Sequence, residues 1–532
     1  MKDRLNLAGD HLVNILSPEH NYLPFYECHI NEKMEVFTWL RGASHNTGRW
    51  VDAMLRLEDA TGYAIPKDIE AAVIANLKVM YDNPDHLFLN PLPEDSPFPP
   101  QVTEGQLEYH SMREGLLALT QMIRYRDSDW AKDKAKNMID TVDRISDTGI
   151  DHWKCELLDR WQRMGQPGKP ISRTVLDSGR FMEAGMDYVM ATENEQALQL
   201  VKRFAEIHYE YNTWPGGTRE LYWANNHTHS YYNTLKGMLL YGAVSGEKKY
   251  VDRVAETYAT TLQNGTIKES GITFHDCDKE TGGDPAAAGD AMQIALWLSH
   301  NGYPEYLDDV ERIVRSRLLA SQLTECPPLS RYELPLDEEG KPYFINQVSK
   351  APRQVKEESV FYPENINEIV LGAWGIFQEA HWAKQPTTDV SAAVLHSLCD
   401  FYTNITEDQD SERRIIFLVD YEDDRIKIST SESKQATVKI ENKDAKDLSI
   451  RIPDWVPTEG LSVKVDDQSI DTDLVNSHLT VKSPNSVELV YDLPEKITEE
   501  ITNGVTYKFR WKGDRITGIT PNSDWLPFYP NF

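Results

Sequence analysis

Cysteine is scarce in this chain: five residues in 532, Cys28, Cys155, Cys277, Cys326 and Cys399. They lie far apart, are odd in number and never form a Cys-x-x-Cys pair. That excludes a disulfide framework and a zinc-ribbon type of site, and reduced, mostly buried thiols are expected. Long apolar runs are missing as well. No stretch approaches the ~18 consecutive apolar residues of a membrane-spanning helix. The opening MKDRLNLAGDHLVNILSPEHNYLPF has no apolar core of signal-peptide length. A cytoplasmic protein is expected on that ground, or a secreted one whose leader has been removed. Basic excess is also lacking, since 55 Lys and Arg face 85 Asp and Glu for a net charge of −30. Such a chain repels phosphate backbones and anionic lipids, so nucleic acid and membrane surfaces are not expected partners.

What is present is a packed globular composition, 40% hydrophobic with 10% aromatic residues, in a chain long enough for at least two structural units. Between about residues 30 and 400 the apolar pattern is helical, as in HSMREGLLALTQMIRY, where Met112, Leu116, Leu119 and Ile123 recur at steps of three and four. A weak repeat joins RDSDWAKDKAKNMI, TENEQALQLVKRFA, SGEKKYVDRVAETY and NGYPEYLDDVERIV, with Trp130, Ala197, Tyr250 and Tyr306 at equivalent points. Their spacing suits two-helix hairpins, and six of these form an (α/α)6 barrel over residues 1–402. From residue 403 to 532 the pattern changes to strand alternation, in RRIIFLVDY, RIKIST, ATVKIEN, LSIRIPDW and later segments, which predicts a β-sandwich. The fold class expected is mainly α with an all-β C-terminal domain. That domain contains no cluster of ionisable residues, so a supporting role is expected for it, with Trp455 and Trp511 packed between sheets.

Four segments of the helical part combine ionisable and aromatic residues. The first, Trp39 to Trp50, places Arg49 and Trp50 where a loop enters a helix. In the second, Tyr109, His110, Arg113 and Glu114 fall within little more than one helical turn. The third runs from Trp214-Pro215-Gly216-Gly217 to Tyr222-Trp223-Ala224-Asn225-Asn226-His227-Thr228-His229-Ser230-Tyr231-Tyr232. Its aromatic faces suit sugar C–H surfaces, and Asn226, His227 and His229 suit hydroxyl groups. Histidines two residues apart point to different sides of a helix, which argues against a metal site there. The fourth, Lys268 to Asp290, is a carboxylate-rich loop leading into a helix of very small residues, and its carboxylates are candidates for acid and base.

At these segments the chain resembles the β-L-arabinofuranosidases of glycoside hydrolase family 127 and their relatives, among them the β-glucuronidases of family 154. The likeness runs through NTGRWVDAMLRLEDATG, HSMREGLLALT, NHTHSYYNTLKGMLLYGAVSG, EYLDDVERIVRSRLL, LSIRIPDW and FRWKGDRITGI. It implies an (α/α)6 barrel with β-sandwich domains and an exo-acting glycosidase site at the barrel mouth, with His110 and His227 matching histidines that contact the terminal sugar. In family 127 a glutamate and three cysteines hold zinc, and one of the cysteines is the nucleophile. Here the first half of that motif falls on Asp284-Pro285-Ala286-Ala287-Ala288 and the second near Ala383-Lys384-Gln385-Pro386-Thr387-Thr388, with no thiol in either.

A metal-free and cofactor-free glycosidase is therefore expected, with carboxylate acid/base chemistry acting through water and favouring inversion. Glu269 is the first choice for the acid, followed by Asp276 and Glu280, with Asp290 also within reach. His110 and His227 complete the catalytic set. Substrate contacts are expected from Arg49, Trp50, Tyr109, Arg113, Trp223, Asn226 and His229. The substrate is an oligosaccharide or polysaccharide ending in a uronic acid, which Arg41, Arg49, Arg113 and Arg219 would suit, or in L-arabinofuranose. A uronate lyase using Tyr109, His110 or His229, and a glycan-binding protein without activity, are the alternatives. The oligomeric state is left open, a homodimer included.

Overall fold

The computed structural model describes residues 1–532 except 32, 41, 91–110, 147–174, 212, 214–226, 264, 275–282, 284, 346–351, 356–358, 376–386, 410, 503 and 523–528. Among the described residues twelve longer helices make the larger part: α1 Lys2–Asn14, α2 Ala43–Thr61, α3 Lys67–Met80, α4 Ser111–Arg126, α5 Asp129–Ser146, α6 Arg180–Thr192, α7 Glu195–Tyr211, α8 Thr228–Ser245, α9 Lys248–Gln263, α10 Pro285–His300, α11 Leu307–Ile313 and α12 Thr388–Thr403; a five-residue helix, Ile366–Val370, packs on α1. Helices α2, α4, α6, α8, α10 and α12 form a closed inner ring, each packed on the next and α12 packed on α2. The others lie outside it, and α1 covers α12 and α2. This is an (α/α)6 barrel. Because one outer helix runs back between successive inner ones, all six inner helices point the same way. Their N-terminal ends share one mouth.

Trp130, Ala197, Tyr250 and Tyr306 all fall at the starts of outer helices, so the repeat in the sequence marks the hairpins' returning limbs. Inner helices approach closely at glycine. A Cβ on Gly48 of α2 would lie 2.8 Å from the Glu114 carbonyl carbon of α4, and one on Gly237 of α8 would lie 2.6 Å from the Glu183 amide nitrogen of α6. Both contacts are backbone contacts, which a larger residue could not relieve by turning a side chain.

The helical pattern did not anticipate a small sheet beside the mouth. Strands Glu27–Ile30 and Glu35–Trp39 pair as a hairpin, joined by Ser330–Arg331 and Val360–Phe361, and the hairpin leads directly into α2. Its sequence EVFTW is too short for helical periodicity and places Phe37 and Trp39 together in a separate aromatic core with Phe344.

After α12 the chain is all β. A six-stranded antiparallel sheet is centred on Ile426–Glu432, Gln435–Asn442 and Ser486–Asp492, with buried Ile428, Ile440, Val438 and Leu489 paired across it. A four-stranded sheet containing Glu412–Ile415 and Asp447–Arg451 supplies the other layer, and Glu495–Thr502, Val505–Lys512 and Arg515–Thr520 form a third sheet. The sandwich is fastened to the barrel by ions and hydrogen bonds. Arg451 donates to Glu311 at 3.0 Å, and Glu500 accepts from both the backbone N and the hydroxyl of Ser270, at 2.8 and 2.6 Å.

Candidate active site at the barrel mouth

The inner helices are largely buried, yet each carries charged or polar residues about one or two turns apart, such as His45, Arg49, Asp52 and Arg56 on α2, His229, Asn233 and Lys236 on α8, or Asp290 and Gln293 on α10. A polar stripe on an otherwise apolar helix faces the ring axis. Six such stripes meet there as two layers.

In the layer nearest the mouth, Arg49 is the central group. Its Nε lies 2.5 Å from Asp389 Oδ1, and its Nη2 lies 3.2 Å from Glu114 Oε1 and 2.7 Å from His229 Nε2. Glu114 Oε1 also accepts from Arg113 Nη1 and Arg180 Nη2, both at 2.7 Å. Arg113 reaches on to Glu183 Oε2 at 2.8 Å, and Glu183 pairs with Lys236 at 2.5 Å. His45 Nε2 lies 2.7 Å from Asp389 Oδ1. His229 Nδ1 makes a short contact with Asp290 Oδ2, whose other oxygen accepts from Asn233 at 2.7 Å. A guanidinium only donates, so His229 Nε2 must present a lone pair to Arg49. The ring therefore carries its proton on Nδ1 and donates it to Asp290.

These contacts separate the carboxyl groups. Burial would raise Glu114, but Arg180, Arg113 and the neighbouring cations overcome it and hold Glu114 far below the usual carboxylate range. Glu183 is brought down to about 2, Arg113 and Lys236 outweighing its burial. Asp389 is likewise held well below, with Arg49 and His45 outweighing burial. Asp290 goes the other way, up to about 7, because burial outweighs the pull of Lys236 and the arginines and Glu183 adds to the rise. Burial and the surrounding arginines keep His229 neutral. Asp389 is the most open carboxylate of the layer, with a quarter of its side chain exposed against none of Glu114. Glu114 Oε2, Arg180 Nε and Asn233 Oδ1 have no hydrogen-bond partner among the described residues. Buried polar atoms left so are uncommon in a folded protein, and they mark where a ligand or ordered water belongs.

The deeper layer is saturated. Asp52 accepts from Arg56 at 2.9 Å and pairs with His396 at 2.6 Å, while Asp187 accepts from Arg56, Gln121 and Arg124 at 2.9, 2.7 and 2.6 Å. None of these side chains leaves a buried polar atom unpaired.

Of the residues expected from the sequence, Arg49, Arg113 and His229 meet in the mouth layer. His227 caps the start of α8 with its ring 5.9 Å from that of His229 and its Nδ1 3.0 Å from Ser230 Oγ. Trp50 does not face the site. One residue beyond Arg49 a helix has turned by about 100°, so Trp50 points outward, fully buried, and its Nε1 donates to the Leu12 carbonyl of α1 at 2.7 Å. Glu269 is paired with Lys496 of the strand Glu495–Thr502, and its carbonyl accepts from Arg312 at 2.6 Å, so it sits with the sandwich and not with the mouth layer. Tyr109, His110, Trp223, Asn226, Asp276 and Glu280 lie outside the described residues, as do Arg41 and Arg219. Residues not singled out beforehand are Arg180, Glu183 and Asp389. The 180, 183, 187 and 389, 396, 400 spacings, charged groups recurring on buried helices, would have pointed to them.

The described thiols do not fit the zinc set of family 127. Cys28 is on the strand Glu27–Ile30, Cys326 follows the outer helix α11 and Cys399 is buried in the deep half of α12. Among the described residues no three His, Cys, Asp or Glu are grouped to hold a metal ion. No helix is long and apolar enough to cross a membrane among those residues.

No protein-family model matches the chain, and no curated protein matches it by sequence. In three dimensions it is similar to a GH127 β-L-arabinofuranosidase from Geobacillus stearothermophilus T6, at 13% identity over 88% of this chain and 76% of that one, with a TM-score of 0.53. A second GH127 β-arabinofuranosidase gives 13% identity, 88% and 74% coverage and a TM-score of 0.54, and a glycoside hydrolase gives 14%, 92%, 83% and 0.52. The shared feature is the fold: a helical barrel followed by all-β structure.

Proposed function

We propose that this protein is a glycoside hydrolase that removes a terminal sugar from an oligosaccharide or polysaccharide, with its active site at the N-terminal ends of the inner helices. The observation that carries the reading is the division of the mouth-layer carboxyls, Asp290 holding a proton up to about neutral pH and Asp389 remaining ionised at the opening. Two carboxyl groups driven apart in this way supply the acid and base of glycoside hydrolysis. The barrel likeness to GH127 enzymes supports the same class.

His229 and Asp290 act as one unit. Below about pH 7 the pair takes up a second proton. In that state Asp290 holds one proton against Nδ1 and the neutral ring carries the other on Nε2; once Arg49 turns toward substrate, Nε2 gives its proton to the leaving-group oxygen while Nδ1 takes the proton from Asp290, which returns the pair to the resting arrangement. His229 Nε2 and Asp389 Oδ1 lie 2.7 and 2.5 Å from two nitrogens of the Arg49 guanidinium, so they are at most roughly 7.5 Å apart, and inversion requires that a water fit between them once Arg49 has moved. Asp389 takes the proton of that water as it attacks the anomeric carbon, and the configuration inverts. No metal or cofactor takes part in this reading.

L-Arabinofuranose is the first choice of terminal sugar. A uronic acid is second, because Arg49 and Arg113 already serve internal carboxylates and a substrate carboxylate would have to be met by Arg41 or Arg219. The test is incubation with α- and β-L-arabinofuranosides, glucuronides and plant oligosaccharides, following released sugar and unsaturated uronate together. Release of a single terminal sugar with inverted configuration is expected. Unsaturated uronate without sugar release, or binding with neither, overturns the proposal.

A further inference from the structure

A second recess lies on the flank of the molecule, where the start of α11 meets the third sheet. It encloses about 330 Å³ and is lined by Trp455, Asp308, Asp309, Arg312, Asp454, Lys496 and Asp514 among others. That volume is at the lower end of ligand clefts, which begin near ~300 Å³. Trp455 was expected to be packed between sheets, but it is only partly buried. Its indole is seated on the turn at Gly513, which has a left-handed φ of 60° and where a Cβ would come within 2.8 Å of the ring. The indole Nε1 is buried and has no hydrogen-bond partner among the described residues. Asp514, with 3% of its side chain exposed, faces the same recess. Its Oδ1 lies 2.6 Å from Arg315 Nε, but its Oδ2 has no hydrogen-bond partner among the described residues. One recess thus holds an aromatic ring, a buried donor and a buried acceptor, the last two unused.

We infer that this recess is a second carbohydrate-binding site, separate from the barrel mouth, that takes an uncharged sugar unit of a glycan. The Trp455 ring supplies a stacking surface for sugar C–H groups, its N–H donates to one hydroxyl, and Asp514 accepts from another. Asp454, exposed at the edge, accepts from a further hydroxyl. Four lining carboxylates outnumber the two lining cations, which disfavours uronic and sulfated sugars. Burial lifts Asp514 to about 7 and Asp308 to about 6, so that disfavour is full above neutral pH and weakens as the pH falls through those values. The inference does not depend on hydrolysis, because the binding is read without turnover.

The experiment titrates the full-length protein with xylo-, arabino-, manno- and cellohexaose, and with hexagalacturonate, following tryptophan fluorescence up to about 10 mM sugar, above the millimolar Kd of weak sites. At least one neutral hexasaccharide is expected to bind, and hexagalacturonate to bind at least tenfold more weakly. Trp455→Ala should lose at least tenfold in that affinity and Asp454→Asn about threefold. Both should keep kcat/KM on a short arabinoside within twofold. If Trp455→Ala fails to fold, Asp454→Asn, which alters only an exposed side chain, decides the matter by NMR titration. Absence of binding by every neutral hexasaccharide, equal binding of the uronate, or unchanged affinity in both variants overturns the proposal.

Discussion

The two polar layers inside the ring are built from similar residue types, the mouth layer on all six inner helices and the deep layer on α2, α4, α6 and α12, and they differ in how completely they are satisfied. In the deep layer Asp52 and Asp187 have every acceptor used, by Arg56, His396, Gln121 and Arg124. In the mouth layer Glu114, Arg180 and Asn233 keep buried atoms without hydrogen-bond partners among the described residues. One carboxyl, Asp290, is held near neutrality there instead of being driven down. Saturation suits a layer that holds helices together. Incomplete satisfaction, one turn nearer the opening, is stability given up where something else is to bind.

The largest effect that separates the layers should come from Asp290→Asn. The amide oxygen can still accept from His229, so the fold should survive, while kcat falls by about 10²- to 10⁴-fold, the range for lost acid catalysis. The loss of kcat above about pH 7, where Asp290 gives up its proton, should disappear with it. A deep-layer change should do the reverse. Asp52→Ala leaves Arg56 and His396 buried beside a vacancy and should cost about 3–5 kcal/mol in urea unfolding, with kcat per folded molecule nearly unchanged. Equal losses of stability and turnover in both variants would remove the distinction. His227→Ala and, separately, His110→Ala should each fold normally and lose at least tenfold in kcat/KM, the scale of one buried hydrogen bond to a sugar, about 1–3 kcal/mol.

Smaller still is the pH dependence of stability. The folded pKa of Asp290 lies above its ordinary 3.8, so its contribution is complete below about pH 4 and is lost as the pH rises through 7. Glu183, lowered from 4.5 to about 2, contributes above its ordinary value and loses that contribution as the pH falls through 2. Thermal melting between pH 4 and 8 should therefore show a shallower decline in Asp290→Asn than in the parent. Glu269→Gln should show the smallest effect, since a half-exposed pair with Lys496 contributes at most about 1 kcal/mol. A hundredfold loss of kcat there would return the acid to Glu269.

The sequence revealed the architecture more readily than the site. Helical periodicity, strand alternation and the spacing of Trp130, Ala197, Tyr250 and Tyr306 are local signals, and each corresponds to an element. Arg49, Arg113 and His229 could be singled out because each sits among other ionisable or aromatic residues along the chain. Arg180, Glu183 and Asp389 could not be found by that rule, because their partners are brought by other hairpins. Arg180 meets Glu114 across 66 positions and Asp389 meets His45 across 344. Trp50 was misread for the opposite reason, as adjacency in sequence to Arg49 places it on another face of the same helix.

The glycine contacts between inner helices carry a consequence for the calibre of the ring. Gly48 rests against the backbone of Glu114, and Gly237 against that of Glu183, so two of the mouth-layer carboxylates hang from the points where neighbouring helices touch. A methyl group at either position would act as a wedge, widening the circle and lengthening several ion pairs at once without altering any charge. The diameter of the mouth, and with it the size of any ligand it admits, is gauged by residues that have no side chain.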